Sequence, residues 1–295
     1  MNRMQELLYP DDPAEVRPRQ TLESGTPGVN PINAPDDLLQ WLRSGWSDLW
    51  QAPVALLHGL VVSAAGVFLL WATWGQPWLG VALIFGFLLL GPVLAVGVND
   101  LARRLERGER TGFRTGLGAI AELGGAAWIF AAGLAALFLL WASFVWLWIG
   151  VMNVGTIGGP AASPAILGTP PAVLWAMLST PQGIVSLIGA MAAWAVFALA
   201  VFALSVVTLP AMLDRRRGLV DAVATSLRAL RSNLVPLLFW GLIITALFAA
   251  ALVTGFIALI VIFPWLGFAM WHGYRAMVRR DDAVKSGDAS ALVHG

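Results

Sequence analysis

Apolar residues in this chain fall in long unbroken runs, not in the short alternations of a soluble fold. A helix rises about 1.5 Å per residue, so about 20 apolar residues cross a hydrocarbon core of about 30 Å. Six runs reach that length, at approximately 54–74, 78–98, 126–149, 183–208, 234–252 and 255–274, with Gly, Pro or charged residues at the breaks. They predict an all-α polytopic membrane protein of six transmembrane helices in three hairpins. The membrane domain is expected over 36–278. The flanking 1–35 and 279–295 read as polar tails, the first disordered or partner-bound and without an apolar run of signal-peptide length.

A second pattern precedes alternate runs. "DDLLQWLRSGWSDLW" places Leu38, Leu42, Gly45, Trp46 and Leu49 on one helical face, with Asp36 and Asp37 in the first turn, where the helix dipole favours acids. "GLVDAVATSLRALRSN" repeats it through Leu219, Val220, Val223, Ala224, Leu227 and Leu230, with Arg228 and Arg231 on the polar side. "TGFRTGLGAIAEL" does so with Phe113, Leu117, Ile120 and Ala121. The chain therefore reads as three copies of one unit, an amphipathic helix at the inner interface followed by a hairpin of two spans. "GPVLAVGVNDLAR" and "FPWLGFAMWHGYR" share the spacing from Pro92 to Arg103 and from Pro264 to Arg275, whereas "LPAMLDR" brings Pro210 close to Arg215.

Composition supports the membrane assignment and excludes other classes. Of 295 residues 58% are hydrophobic and 12% charged, too apolar for one water-soluble core. A net charge of +1 offers no basic face for nucleic acid, and the absence of Cys removes disulfides, thiolate metal sites and Cys nucleophiles. The basic residues fall before the first run, in 103–114, in 215–231 and after the last run, while the remaining connections carry none. Arg103, Arg104, Arg107, Arg215, Arg216, Arg217, Arg275, Arg279 and Arg280 thus mark the cytoplasmic side, and both termini are expected to be cytoplasmic. Arg in place of Lys, with abundant Ala and Gly, points to a GC-rich bacterial genome and hence to a bacterial inner membrane. The long outer connection, 150–182, is Gly- and Pro-rich and carries "AVLWAML", expected to lie on the membrane surface.

Candidate chemistry is sparse. Charges near a bilayer centre mark ion paths or proton relays, and the runs carry none there. Asp100, Glu122 and Asp214 sit at span ends and read as interfacial partners of Arg. His58 and His272, both about a turn from the inner face, form the one pair that could serve as axial haem or metal ligands; the alternative is that His272 marks a membrane boundary. "GLGAIAELGG" lacks the strand that a dinucleotide-binding glycine loop follows. No Ser has a His or acidic partner at a suggestive spacing, so no enzyme activity and no cofactor is expected. Trp71, Trp74, Trp78, Trp146 and Trp148 read as an outer aromatic belt, and Trp41, Trp46, Trp50 and Trp271 as an inner one. Trp194 and Trp240 fall in mid-span, where helix packing explains them. "GGAAWIFAAGLAAL" and "GAMAAWAVFALA" supply small residues for close helix approach.

The stretch "LPAMLDRRRGLVDAVATSLRALRSNLVPLLFWGLIITALFAAALVTGFIALIVIFPWLGFAMWHGYR" and the marker "GPVLAVGVNDLARRLERGE" resemble a family of uncharacterised bacterial integral membrane proteins, a domain of unknown function, over roughly 40–278. The resemblance implies no established activity. Some members are labelled cytochrome c oxidase subunits, and the family's closing motif pairs Gly-His with Trp-His. Here Phe268 replaces the first His and His272 matches the second. The expected function is a non-catalytic accessory or assembly subunit of an inner-membrane complex, respiratory or photosynthetic, with the lipid bilayer and a membrane-protein complex as partners. The alternatives are a transporter or lipid-handling protein for a neutral or amphiphilic molecule, and a haem protein using His58 and His272.

Overall fold

The computed structural model describes residues 28–152, 175, 177–215 and 218–278. Among these, helices account for all regular structure, with one isolated antiparallel bridge between Val29 and Val278. The helices are α1 (Asp36–Gln51), α2 (Ala55–Ala72), α3 (Pro77–Leu89), α4 (Gly91–Leu94), α5 (Val96–Glu106), α6 (Phe113–Glu122) and α7 (Gly124–Met152), followed by α8 (Pro181–Ser205), α9 (Thr208–Arg215), α10 (Leu219–Ser232), α11 (Leu234–Val253) and α12 (Leu259–Met277). Most of the connection at 150–182, including most of "AVLWAML", lies outside the described residues, as do 1–27 and 279–295.

Four stretches are long and apolar enough to cross a membrane: Ala55–Ala72, Gly124–Trp148, Pro181–Asp214 and Leu234–Val253. They correspond to the first, third, fourth and fifth expected runs. The second run, 78–98, is not one helix. Pro92 has no N–H to donate, and the chain breaks around it into α3, the single turn α4 and the start of α5. The sixth run, 255–274, opens with a turn in which Gly255 and Phe256 both adopt left-handed backbone, φ 59° and 69°. Phe256 holds that conformation because its ring is fully buried and its carbonyl accepts the Ser63 hydroxyl at 2.9 Å. α12 then runs for 19 residues with Pro264 inside it.

α12 is the centre of the bundle, packed against α1, α2, α5 and α11. α3 packs on α7, and α8 lies against both α7 and α10. The amphipathic helices form as expected, but what they bury differs. α1 buries Leu38, Trp41, Gly45 and Leu49 against its own chain, leaving Trp46 and Trp50 exposed. α10 buries Ala222, Thr225, Ser226 and Ala229, not the larger apolar face read from the sequence, so that Val220 and Leu227 point outward. Small residues let α10 approach α8 closely, and the Ser226 hydroxyl donates to the Ala203 carbonyl at 2.8 Å; large apolar side chains gain nothing by leaving lipid for protein. In α6 the buried residues are likewise Gly116 and Ala119, with Leu117 exposed.

The end of the N-terminal segment is tied to the chain's last described turn. Asn30 N–H donates to the Met277 carbonyl at 2.8 Å, and its side-chain amide donates to Ala276. Buried Asn233 accepts from Ile32 N–H at 2.8 Å and donates to the Asn30 carbonyl at 3.1 Å. Residues 28–32 and 276–278 therefore lie together on one side of the protein.

Candidate functional site

Nine charged side chains of the membrane domain, from α5, α6, α9, α12 and the α5–α6 connection, meet in one cluster. Asp100 is fully buried near the start of α5 and accepts from Arg103 and, at 2.7 Å, from Arg104 Nε. Those arginines reach on to Glu122 at 3.6 and 3.5 Å. The hydrogen bond to Asp100, with Glu122 and Glu109 nearby, raises the Arg104 pKa above the ordinary guanidinium value. Asp214, at the end of α9, accepts from Tyr274 Oη at 3.0 Å and from Arg275 at 2.9 Å, with Arg107 3.5 Å away. Glu106 accepts from Trp271 Nε1 and Arg275 Nε, both at 3.1 Å. These pairs between acids and arginines make the cluster a clamp joining α5, α9 and α12.

The structure does not bring His58 and His272 together. His272 Nε2 lies 2.7 Å from Asp48 Oδ2, fastening α12 to α1. His58 is buried at the meeting of α2, α5 and α6, edge-on to Phe113 with ring centroids 4.8 Å apart. Its Nε2, without a hydrogen-bond partner among the described residues, faces Gly97 and Gly116, where added Cβ atoms would stand 3.0 and 2.6 Å away. No group of three metal-binding side chains occurs among the described residues.

The tryptophans divide. Trp46, Trp50, Trp71, Trp74 and Trp146 are exposed, and Trp148 is half-buried with its N–H on Ser186. Trp41 and Trp271, read from the sequence as boundary anchors, are instead enclosed by protein. Trp41 meets Trp240 edge-to-face at 5.6 Å, and Trp271 lies against Tyr274 at 5.4 Å under the Arg275 guanidinium. Trp41 thus meets a ring of α11, and Trp271 packs on residues of its own helix while its Nε1 donates to Glu106 of α5. The side chains of Trp78 and Arg215, and residues Arg216, Arg217, Arg279 and Arg280, lie outside what is described.

A cavity of ≈350 Å³ separates α8 from α11 and is floored by the α3–α5 segment and α12. Its walls come from helical stripes with the spacing of one face: Leu88, Pro92, Ala95 and Asn99 on one side, Trp194, Ala198, Val201 and Ser205 on another. Among the described residues no charged side chain lines it. Several of its polar side chains are satisfied locally: Ser205 donates to Val201 O at 2.6 Å, Thr245 to Gly241 O at 2.8 Å, and Trp240 Nε1 to Met270 Sδ at 3.3 Å. Two others are not. Asn99 Oδ1 and Trp194 Nε1 are buried with no partner among the described residues. A buried polar atom without a partner forfeits about 1–3 kcal/mol, and both atoms are closed off from the cavity space although other atoms of their residues line it.

Sequence reading singles out Trp194 but assigns it to packing, and it does pack, edge-on against Phe85 at 5.4 Å. It passes over Asn99, because an asparagine beside Asp100 reads as part of a polar span exit. The available signal was the 88, 92, 95, 99 stripe, which ends in a polar residue just as the 194, 198, 201, 205 stripe begins and ends in polar ones.

Residues 80–214 match the model of a family described as predicted integral membrane protein (DUF2189). The matched segment contains "GPVLAVGVNDLARRLERGE" and only the opening residues of the longer C-terminal stretch that carried the resemblance. No curated protein and no solved structure matches the chain. With its apolar helices, the match makes the chain an integral membrane protein seated in the lipid bilayer.

Proposed function

We propose that this protein binds an uncharged, bilayer-soluble molecule in the cavity between α8 and α11, as a transporter or lipid-handling protein would. The observation that carries the reading is the cavity itself. Its volume of ≈350 Å³ is in the range of small-molecule sites, its wall is apolar and uncharged, and it extends from mid-α8 toward the paired charges of α5 and α9. Among the described residues of the lining a charged ligand would find no counter-ion, and the Ser205 and Thr245 hydroxyls have no acid or base beside them.

The accessory-subunit reading yields to this one because its main support, uncharged helix surface, is met equally well by lipid. The haem reading loses its ligand pair, since His272 is engaged by Asp48 and His58 is enclosed by Phe113, Gly97 and Gly116. We place both termini in the cytoplasm of a bacterial inner membrane, supported by the distribution of Arg and by the contact of 28–32 with 276–278. In this arrangement the α3–α5 segment and α12 complete six crossings as broken or shortened helices, backbone irregularity being tolerated where protein or a cavity surrounds it.

The test is organic extraction and mass spectrometry of the full-length protein purified in mild detergent, beside Gly241→Leu. A Cβ at Gly241 meets nothing within 4 Å, and Gly241 lines the cavity, so a side chain added there starts in open space at the cavity wall. The expected result is a stoichiometric uncharged amphiphile in the native protein and its loss in the variant. Equal recovery from both would sink the reading.

A further inference from the structure

Resting on that reading, we infer that the cavity opens sideways into the bilayer through a slot between α8 and α11, and that its occupant is one alkyl chain of an uncharged membrane lipid. Exposure places the mouth. Among the described residues of the lining three are exposed: Ala195 and Leu199 on α8, a helical turn apart, and Leu238 on α11. Leu199 and Leu238 are 44% and 47% exposed, and Val196 and Leu242, a turn away on the same helices, are apolar and more exposed still.

Toward the paired charges of α5 and α9 the cavity is shut, because the residues that line it there, Asn99, Leu209 and Pro210, are buried. A molecule therefore reaches it from the hydrocarbon without passing the charged clamp. The two walls of the slot are tied to each other through α10: α8 packs on α3, α7, α9 and α10, and α11 packs on α10 and α12.

The lining also gives the ligand class. It follows the helices, from Leu237 to Thr245 on α11 and from Phe263 to Met270 on α12, about 10–12 Å of helix each. A lipid chain standing beside α8 and α11 already runs along them and enters without turning. It needs no polar partner, and the Ser205 and Thr245 hydroxyls of the lining are bonded within their own helix. Lipid tails are as apolar as the leucines of the wall, so the transfer carries no hydrophobic cost; the gain is the van der Waals contact that an unfilled cavity forfeits.

The experiment delivers a diacylglycerol with a diazirine in the middle of one acyl chain from donor vesicles to the full-length protein in liposomes, flashes samples at intervals and maps the adducts by mass spectrometry. Adducts are expected on the outer faces at Val196 and Leu242, and also at Leu266 and Met270, which line the cavity from the central helix α12. Leu199→Trp with Leu238→Trp narrows the mouth and should slow the labelling of α12 about fivefold relative to the outer positions, whereas Leu199→Ala with Leu238→Ala widens it and should speed that labelling about twofold. Thermal unfolding of each variant within a few degrees of the native protein separates a changed mouth from a lost fold. Equal rates at α12 in all three proteins overturn the lateral mouth, and outer adducts without any at α12 in the native protein overturn the alkyl-chain occupant. Either result leaves the cavity reading standing where an extracted amphiphile is still lost in Gly241→Leu, and removes that reading too where it is not.

Discussion

Gly59 and Gly241 invite the same substitution with opposite results. Gly59 lies where α2 crosses α12, and a Cβ there would stand 2.1 Å from Ile260 O, 2.7 Å from Ile260 C and 2.9 Å from Pro264 Cδ. The Ile260 carbonyl is the one that Pro264, four residues on, cannot satisfy, because a proline nitrogen carries no hydrogen. The released carbonyl thus faces the glycine, and both offending Ile260 atoms are backbone. Ordinary contact begins at 3.4 Å, so α2 would have to withdraw from α12 by more than an ångström, loosening the contacts on both sides of the crossing. Overpacking of this kind costs about 1–3 kcal/mol, and rigid backbone places Gly59→Ala toward the upper end. At Gly241 a Cβ meets nothing within 4 Å, and replacing a mid-helix glycine by alanine stabilises by about 1 kcal/mol. The same helix-propensity gain offsets part of the loss at Gly59, which leaves Gly59→Ala below Gly241→Ala by about 3 kcal/mol. Reversible unfolding in mixed micelles against increasing dodecyl sulfate measures the difference. Two alanine variants with the same midpoint and slope would refute the close crossing of α2 and α12.

Three further outcomes are expected. Asp100→Asn keeps the shape of a fully buried side chain but leaves Arg103 and Arg104 only their longer contacts to the more exposed Glu122 and Glu109. Removal of one partner from a buried ion pair costs about 3–5 kcal/mol, and partial exposure of the arginines lowers this to about 2–3 kcal/mol in the same unfolding titration. Asn233→Ala removes the acceptor of Ile32 N–H and the donor to the Asn30 carbonyl, so limited proteolysis should cut near 28–35 markedly faster than in the native protein, with membrane insertion unaltered. Because the chain contains no Cys, Gln76→Cys and Arg110→Cys each introduce a single thiol: a membrane-impermeant maleimide should label the first in intact cells and the second only after permeabilisation.

The apolar runs, their breaks and the Arg positions were readable because each is local. Four of the six runs form single long helices, as expected where a bilayer leaves the backbone no other way to satisfy its polar groups. The direction each amphipathic helix turns was not local. Val220 and Leu227 look like a core face in a soluble protein, yet a bilayer is as apolar as a core, and α10 turns its Ala, Ser and Thr residues inward because those permit close approach. Burial was not local either: a tryptophan near a span end reads as a headgroup anchor, and only the tertiary structure shows that Trp41 and Trp271 are covered by protein. Pro92 was visible within the second run, but whether the chain would bend around it or break depended on α7, α12 and the cavity beside it.

By itself the sequence determined that the chain lives in a membrane, that its helices are apolar without a charged centre, and that its charges gather at span ends. Hydropathy and charge act on each segment alone, so a linear reading captures them. Tertiary structure alone decided that His272 pairs with Asp48 and not with His58, that Asp100 and Asp214 bind α5, α9 and α12 together, and that α8, α11 and α12 leave an apolar cavity between them. Those facts depend on which helices become neighbours and on how closely they pack. In a bilayer that choice is set by shape and hydrogen bonding across the whole bundle, terms that no single segment carries.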